Sequence, residues 1–335
     1  METTRLIPPD APRPGGRASR PPFDAGLAKA QGADQVISLG EGGEEPRARC
    51  ALWWKDTPVV NGANIGYIGH YAAVDSAAAS ALLEQACRVL AEYGAALAIG
   101  PLDGTTWRPH RLAIDGLNRP PFFMEPRNPA DWPQHFLENG FHILANYSSS
   151  AVDLTRPLEN TTAFDRVRRR LTGQNGIVVR PVDPERIDQE LCGIYRLARD
   201  SFRNNFLYQP LPEAEFVATY RRVAPFLVPE FVRIAEADGG IAGFVFAIPD
   251  VEGIAKSGSR EPAVIVKTVA ARPGRRFAGL GNLLVREVHE HARQRGHREI
   301  IHALQHEHNP SLAINARCGA TVFRRYALFA RTLLP

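Results

Sequence analysis

The feature of this chain that most constrains its fold is a short, basic, glycine-containing loop between a buried strand and a helix. Residues 263–271, AVIVKTVAA, form an apolar run typical of a buried strand, and the residues after 281 have the period of an amphipathic helix. In the loop between them, PGRRFAGLG, Arg276, Gly279 and Gly281 follow the spacing R-x-x-G-x-G. Main-chain N–H groups of such a loop can point into one concavity, which glycine keeps open for an anion. The pattern predicts a site for a phosphate-bearing ligand.

Other glycine-rich loops fit this stretch less well. No G-K-[ST] follows, so it is not a Walker loop. The glycine spacing also differs from that of a dinucleotide-binding fold, and no early βαβ unit contains the loop. A strand–helix turn that binds nothing remains the alternative, because short glycine motifs also arise by chance.

The composition is that of an ordinary globular protein of two domains. The 335 residues are 44% hydrophobic and 23% charged, with a net charge of +4 and a pI of about 9.0. No run of Lys and Arg dominates one segment, so no nucleic-acid partner is expected. The sequence also lacks the run of about 20 apolar residues that crosses a bilayer, so no membrane partner is expected.

The cysteines and the N-terminal segment indicate a cytoplasmic protein. Cys50, Cys87, Cys192 and Cys318 lie far apart and none has CxxC spacing, which favours reduced thiols. Residues 1–25 are rich in Pro, Gly and Arg and lack the apolar segment of a secretory signal. We expect this tail to be disordered.

The rest of the chain divides into two α/β (α+β) units joined by a linker. The first unit covers 26–155, the polar and basic linker 156–174, and the second unit 175–335. In the first unit we predict strands at 49–54, 64–71 and 95–101 and a helix at 75–94 capped by Asp75 or Ser76. In the second we predict strands at 176–182, 263–271, 299–305 and 321–331, a hairpin at 231–248 and helices at 183–202, 281–295 and 310–319.

These elements and three of their sequences resemble the GNAT superfamily of N-acetyltransferases. VKTVAARPGRRFAGLGNLLV is similar to its acetyl-CoA signature, and EADGGIAGF and NPSLAINARCGA are similar to the segments before and after it. The first unit resembles, more weakly, the degenerate N-terminal half of bacterial tandem-GNAT proteins. It has no R-x-x-G-x-G between Tyr71 and Ser80, so we do not expect it to bind coenzyme A. The resemblance implies two tandem GNAT-like domains, each a mixed twisted sheet flanked by helices.

The resemblance also implies acetyl-CoA as the co-substrate and indicates its contacts. The pyrophosphate would lie on the main chain of 276–281, and the pantetheine would pair with the end of the preceding strand. Residues that follow strand 299–305 would form a second contact with the cofactor. The implied cofactor-binding residues are Val269, Ala270, Arg275, Arg276, Phe277, Ala278, Gly279, Leu280, Gly281, Asn282, Asn309 and Ser311.

The implied reaction is direct transfer of an acyl group, here acetyl, from the thioester to a primary amine of a small molecule. It needs a base for the amine, a donor at the thioester oxygen and an acid for the leaving thiolate. The tyrosine that the family often places four residues before the glycine of CGA is replaced by Asn315, which can donate a hydrogen bond but is not an acid. Tyr326 is the alternative acid, unless it only packs in its strand. Glu307 and His302, with His306, are the candidate bases.

Two further expectations concern histidines. The cluster in HALQHEHN raises a metal site, but its spacing fits no standard ligand pattern, so no metal is expected. His289 and His291 are two apart on a helix and face different ways, so we expect both to be exposed.

The acceptor is expected to bind at the interface of the two units, where small-molecule sites tend to form. Residues 199–216 lie where the family's acceptor-binding helices lie, and Asn205, Phe206 and Tyr208 are the candidates there. Lys267, inside an apolar strand, needs a partner or a shifted pKa. It either meets the substrate or pairs within the protein.

Two other functions remain open. The missing tyrosine and the degenerate first half favour a non-catalytic CoA-binding or sensor protein. The basic pI favours an aminoacyl-tRNA-dependent transferase, which also pairs two GNAT-like folds, whereas the modest net charge and the intact glycine loop argue against it.

Overall fold

The computed structural model of the chain describes residues 23–40, 45–158, 161–253 and 261–333. Most of the predicted disordered tail lies outside these residues. Its last residues are ordered, because the Asp24 side chain accepts hydrogen bonds from the N–H groups of Gly26 and Leu27 and so caps the first helix.

The first half is built around two parallel strands and the helix that connects them, as predicted. Asp75 caps this helix by accepting from the N–H of Ala78 at 2.8 Å. The strands are β1 Gln35–Leu39, β2 Ala48–Trp53, β3 Val59–Val60, β4 Ala63–Ala73, β5 Leu97–Gly100, β6 Leu112–Asp115 and β7 His142–Asp153. The helices are α1 Ala25–Ala30, α2 Ser76–Glu92 and α3 Trp132–Glu138.

The second half follows the predicted order closely. Its strands are β8 Val178–Pro181, β9 Val232–Ala237, β10 Gly240–Pro249, β11 Val264–Ala271, β12 Glu299–His306 and β13 Thr321–Thr332. The helices of the linker and the second half are α4 Thr161–Arg168, α5 Ile187–Phe202, α6 Glu213–Arg221, α7 Leu280–Gln294 and α8 Leu312–Arg317. A π-helix, Arg169–Gln174, continues α4, so the predicted linker is mostly helical where it is described.

The two halves repeat one arrangement, which confirms two tandem GNAT-like domains. In each, two parallel strands connected by a helix are paired over three residues and then separate: β4 with β5 in the first half, β11 with β12 in the second. Helix α7 packs its apolar stripe onto β9, β10 and β11. The stripe consists of the predicted Leu280, Leu284, Val288 and Ala292, which are completely buried.

The halves also exchange their last strands. The described strands form one mixed sheet in the order β1-β2-β4-β5-β13-β7-β12-β11-β10-β9-β8, with β3 and β6 on the side. Strand β13 of the second half therefore lies between β5 and β7, and β7 of the first half lies between β13 and β12. The predicted domain boundary near residue 155 thus lies within one continuous sheet that both halves share.

Candidate functional site

The glycine loop, defined as residues 274–282, presents main-chain N–H groups that have no acceptor within the described part of the chain. Gly279 has φ +86°, which only glycine adopts without strain, and precedes the first residue of α7. The first N–H at this end of the helix with an internal acceptor is that of Leu283, bonded to the carbonyl of Gly279 at 3.0 Å. The N–H groups of 279–282 are therefore free at the positive end of the helix dipole, which fits a diphosphate.

The two arginines of the loop differ in their surroundings. The Arg276 guanidinium donates to Asp238 at 2.7 Å and to the carbonyl of Asn175 at 3.2 Å. Arg275 is exposed and has no carboxylate partner among the described residues. Of the pair, Arg275 is the one whose charge is not already neutralised.

A gap opens between β11 and β12 directly before the glycine loop. The last pair of the two strands joins Val266 to His302, and beyond it they diverge. Lys267 is an extra residue in β11, because Thr268 and Val266 pair with consecutive residues of β10. Val269 and Ala270 pair with β10 on one edge only, so their other edge is open to an added extended chain such as pantetheine.

A buried polar cluster lies where the two strands begin to diverge. Lys267 Nζ donates to the carbonyl of Met124 at 3.0 Å. Burial, helped by the nearby Arg111 and opposed by Glu125, lowers the pKa of Lys267 to about 7. Arg111 donates to the carbonyl of Leu304 at 3.0 Å. Arg111 and Glu125 belong to the first half, and sequence reasoning missed both.

Three residues in or beside the same cluster have left-handed backbone conformations. Arg111, Met124 and Leu304 are non-glycine residues with φ of +69°, +63° and +60°. Such conformations cost free energy and collect at functional sites. No sequence pattern indicates them, because each depends on the loop that the tertiary structure imposes.

Tyr326 lies in this cluster but is poorly suited to the role of acid. Its hydroxyl donates to Glu125 and lies 3.0 Å from Ser149 Oγ. Burial and the neighbouring Glu125 carboxylate raise the pKa of Tyr326 well above its usual range. The same carboxylate accepts from Arg324 at 2.5 Å. Tyr326 remains a candidate, now as a donor that holds Glu125.

His302 and Asn315 lie together, away from the polar cluster, among β12, α7 and α8. His302 Nδ1 lies 2.6 Å from Asn315 Oδ1, and the Asn315 amide donates to Gln305 at 2.6 Å and to Ser150 at 3.2 Å. Burial lowers the pKa of His302, which keeps the ring neutral. His302 Nε2 lies 2.9 Å from His289 Nε2. The expectation that His289 is exposed is therefore wrong: its side of α7 faces the sheet.

This pair is part of a group that could hold a metal ion. The ligand atoms of His289, His302 and Cys318 all lie within 4.8 Å of one another. Each already has an internal contact, since Cys318 Sγ donates to the carbonyl of Ile314 at 3.0 Å. The absence of a resident metal stays a prediction.

Among the remaining candidates around the end of β12, His306 lies near Arg111 of the polar cluster, whereas Glu307, Asn309 and Ser311 have other partners. Glu307 is exposed, and hydrogen bonds from Asn146 hold its pKa below the usual range. Asn309 and Ser311 bind each other, Asn309 Oδ1 accepting from the Ser311 N–H at 2.9 Å. His306 contacts the Phe206 ring, and burial lowers its pKa.

The first half covers the face of the second half on which α5 and α6 lie. The Trp107 ring packs against Phe202, Tyr208 and Phe216. Trp107 Nε1 and the Tyr208 hydroxyl are both buried and lie close to each other. Of the predicted acceptor residues, Tyr208 thus lies against Trp107, Phe206 lies against His306, and Asn205 is exposed.

The equivalent features of the first half are closed. The N–H of Leu102 bonds the carbonyl of Ile68, and Asp103 accepts from the N–H of His70, which fills the space between β4 and β5. The N-terminus of α2 carries the Asp75 carboxylate where an anion would bind. The expectation that this half does not bind coenzyme A stays a prediction.

Comparison with known proteins supports the family. Residues 191–320 match the family described as "Acetyltransferase (GNAT) family". A curated relative, "Bacterial ceramide synthase" of Caulobacter vibrioides, is 28% identical over 187 residues, which are 56% of this chain and 48% of the relative. The chain thus spans about half the length of that relative. No helix of the described residues has the length and apolar character that a bilayer crossing requires.

Solved structures show the same fold at low identity. A GCN5-related N-acetyltransferase from Sphaerobacter thermophilus is 13% identical, with a TM-score of 0.50 over 90% of this chain and 81% of that one. A glucosamine N-acetyltransferase region of a fungal multi-domain β-N-acetylglucosaminidase is 14% identical, with a TM-score of 0.53 over 90% and 34%. Residues 191–320 thus match the acetyltransferase (GNAT) family, and the glycine loop, the strand gap and the repeated arrangement agree with the fold of these solved structures.

Proposed function

We propose that the second half is an acyl-CoA-dependent N-acyltransferase. The observation that carries this proposal is the set of free N–H groups at 279–282, which lies directly after the gap between β11 and β12. These groups would hold the diphosphate, and the open edge of Val269 and Ala270 would pair with the pantetheine. The thioester would then lie near Lys267, at the start of the gap.

The polar cluster would handle the amine. With a pKa of about 7, a large share of Lys267 is neutral at physiological pH and can accept the proton that the incoming ammonium must lose. The amine then attacks the thioester carbonyl, the C–S bond breaks, and the CoA thiolate takes up a proton. Asn315 would not supply this proton or a hydrogen bond to the sulfur, because its amide already donates to Gln305 and Ser150.

The acyl group and the acceptor are open within this proposal. Acetyl transfer from acetyl-CoA to a primary amine of a small molecule is the simplest case. The relative named ceramide synthase favours instead a longer acyl group and an amine that carries an aliphatic chain. The side chains beside Thr268 are apolar, but they form a packed core around a cavity of only about 20 Å³, so a long chain would need another path. This core includes Trp107, Leu191, Ile194, Ala198, Phe216, Phe244 and Phe246.

A thiol-release assay tests the proposal. Acetyl-CoA, octanoyl-CoA and palmitoyl-CoA are each offered with polyamines, amino sugars, amino acids and long-chain amino alcohols, and CoA binding is measured by isothermal titration. Gly279→Glu, which places a carboxylate among the free N–H groups, should abolish CoA binding. Gly62→Glu is the control, since Gly62 also has positive φ, +80°, and open space around it. CoA binding without thiol release from any amine would favour the sensor function, and no CoA binding by the unaltered protein would end the proposal.

A further inference from the structure

The segment between the two halves contacts the glycine loop from its carbonyl side. The Arg170 guanidinium, on the π-helix, donates to the carbonyl of Ala278 and, at 3.4 Å, to that of Arg275. Asn175 Nδ2 donates to the carbonyl of Arg276 at 2.7 Å. Three carbonyl groups of the loop are thus bound by Arg170 of the predicted linker and by Asn175, the first residue of the second predicted unit.

We propose that Arg170 is a positioning residue for the phosphate groups of coenzyme A, acting through the peptide groups of the glycine loop. The inference rests on the proposed function. The carbonyl of Ala278 and the N–H of Gly279 belong to one planar peptide group. A cation bound to the oxygen fixes the plane of that group and polarises its N–H, which makes the N–H a stronger donor to an anion. Asn175 fixes the plane of the peptide between Arg276 and Phe277, whose N–H already donates to the carbonyl of Gly274 at 3.1 Å, and so supports the shape of the loop.

The charges around the loop support this role. Arg168 is paired with Glu287 and Glu290, and Arg276 is paired with Asp238. Arg170 has no carboxylate partner among the described residues, so its positive charge remains available beside the free N–H groups. A diphosphate would be the missing counter-charge.

The packing shows that the segment is held in this place. Leu171 is completely buried in the core that also contains the apolar stripe of α7. Val167 Cγ1 lies 3.1 Å from the position that a Cβ on Gly279 would take, so the segment approaches the loop as closely as glycine allows. The position of Arg170 is therefore set by side chains other than its own.

The test is the affinity of the full chain for CoA, measured by titration for the variants Arg170→Ala, Arg170→Lys and Asn175→Ala. The matched control is Arg169→Ala, an exposed arginine of the same π-helix with no contact to the loop. Loss of a charge-assisted hydrogen bond predicts about 10- to 100-fold weaker binding for Arg170→Ala, and about threefold for Asn175→Ala. Arg170→Lys keeps the charge and should recover part of the loss, while Arg169→Ala should stay within about twofold.

Two further measurements separate this role from a general effect on folding. The thermal midpoint without CoA should be the same for Arg170→Ala and Arg169→Ala. The dependence of CoA affinity on NaCl concentration should be shallower in Arg170→Ala, because one cation has been removed. Equal CoA affinity for Arg170→Ala and Arg169→Ala would overturn the inference and leave the proposed function intact, whereas no CoA binding by the unaltered chain would overturn the proposed function itself.

Discussion

Lys267 Nζ and the carbonyl of Met124 are joined by a 3.0 Å hydrogen bond that connects the two halves of the chain. Lys267 lies at the bulge where β11 leaves β12, and Met124 lies in the proline-rich loop of the first half. Through this contact, a loop of the first half lies beside the open gap between β11 and β12 of the second half. The first half therefore contributes a main-chain group to the candidate site.

Lys267 should determine the pH dependence of acyl transfer. The rate should rise as the pH increases through about 7, because the neutral amine is the form that accepts a proton. Lys267→Met should lower the rate by about 100-fold or more and remove this rise, while CoA affinity stays unchanged. Lys55→Arg, at an exposed lysine paired with Asp34, is the control. A rise through pH 7 that persists in Lys267→Met would assign the base elsewhere.

Lys267 should also make stability depend on pH. Its pKa is about 7 in the folded chain and 10.5 in the unfolded chain, so between these values the unfolded chain binds more protons. Lys267 therefore destabilises the fold increasingly as the pH falls from about 10.5 to about 7. Urea unfolding should show Lys267→Met gaining stability relative to the unaltered chain over that range. A constant difference between the two proteins would contradict the lowered pKa.

Glu125 should be essential for stability because it is the partner of a buried cation. The side chains of Arg324 and Glu125 are only 3% and 0% exposed. Glu125→Gln leaves the Arg324 charge unpaired, which should cost about 3–5 kcal/mol in the free energy of unfolding. Asp115→Asn breaks the pair with Arg325, whose side chains are 60% and 61% exposed, and should cost less than about 1 kcal/mol. Similar losses in the two variants would argue against the buried pair.

Because the last strand of each half pairs with strands of the other half, we predict that neither half folds alone. A fragment ending at residue 158 has β7 without β12 and β13, and a fragment beginning at 161 has β13 without β5 and β7. Each should aggregate or stay unfolded when expressed separately, because long strand edges remain unpaired. Co-expression should recover a soluble complex that elutes as one species. A well-dispersed NMR spectrum of either fragment alone would contradict the exchange.

We predict that CoA binding requires no metal. His289, His302 and Cys318 use their donor atoms on internal partners, and a thiol already bonded to a carbonyl is a poor ligand. Treatment with EDTA should change neither CoA affinity nor the thermal midpoint. The purified chain should contain far less than about one zinc per molecule by elemental analysis. Stoichiometric zinc that is lost in Cys318→Ser would show that this group is a metal site.

The sequence by itself determined the local elements and the glycine loop. Strands and helices of the second half appear within a few residues of their predicted bounds, because apolar periodicity and capping residues act over one or two turns. Helix α6 was not predicted, since its residues carry no strong apolar period. The free N–H groups of the loop follow from Gly279 and the start of α7, both of which are local features.

Only the tertiary structure decided which side chains share the site. It joined Lys267 to Arg111 and Glu125 of the first half, placed Arg170 against the carbonyl groups of the glycine loop, and turned His302 toward α7 and away from the polar cluster. The first two of these contacts join parts of the chain that lie more than a hundred residues apart. Strand pairing at that distance is fixed by how all the elements pack together, and no window of sequence contains it.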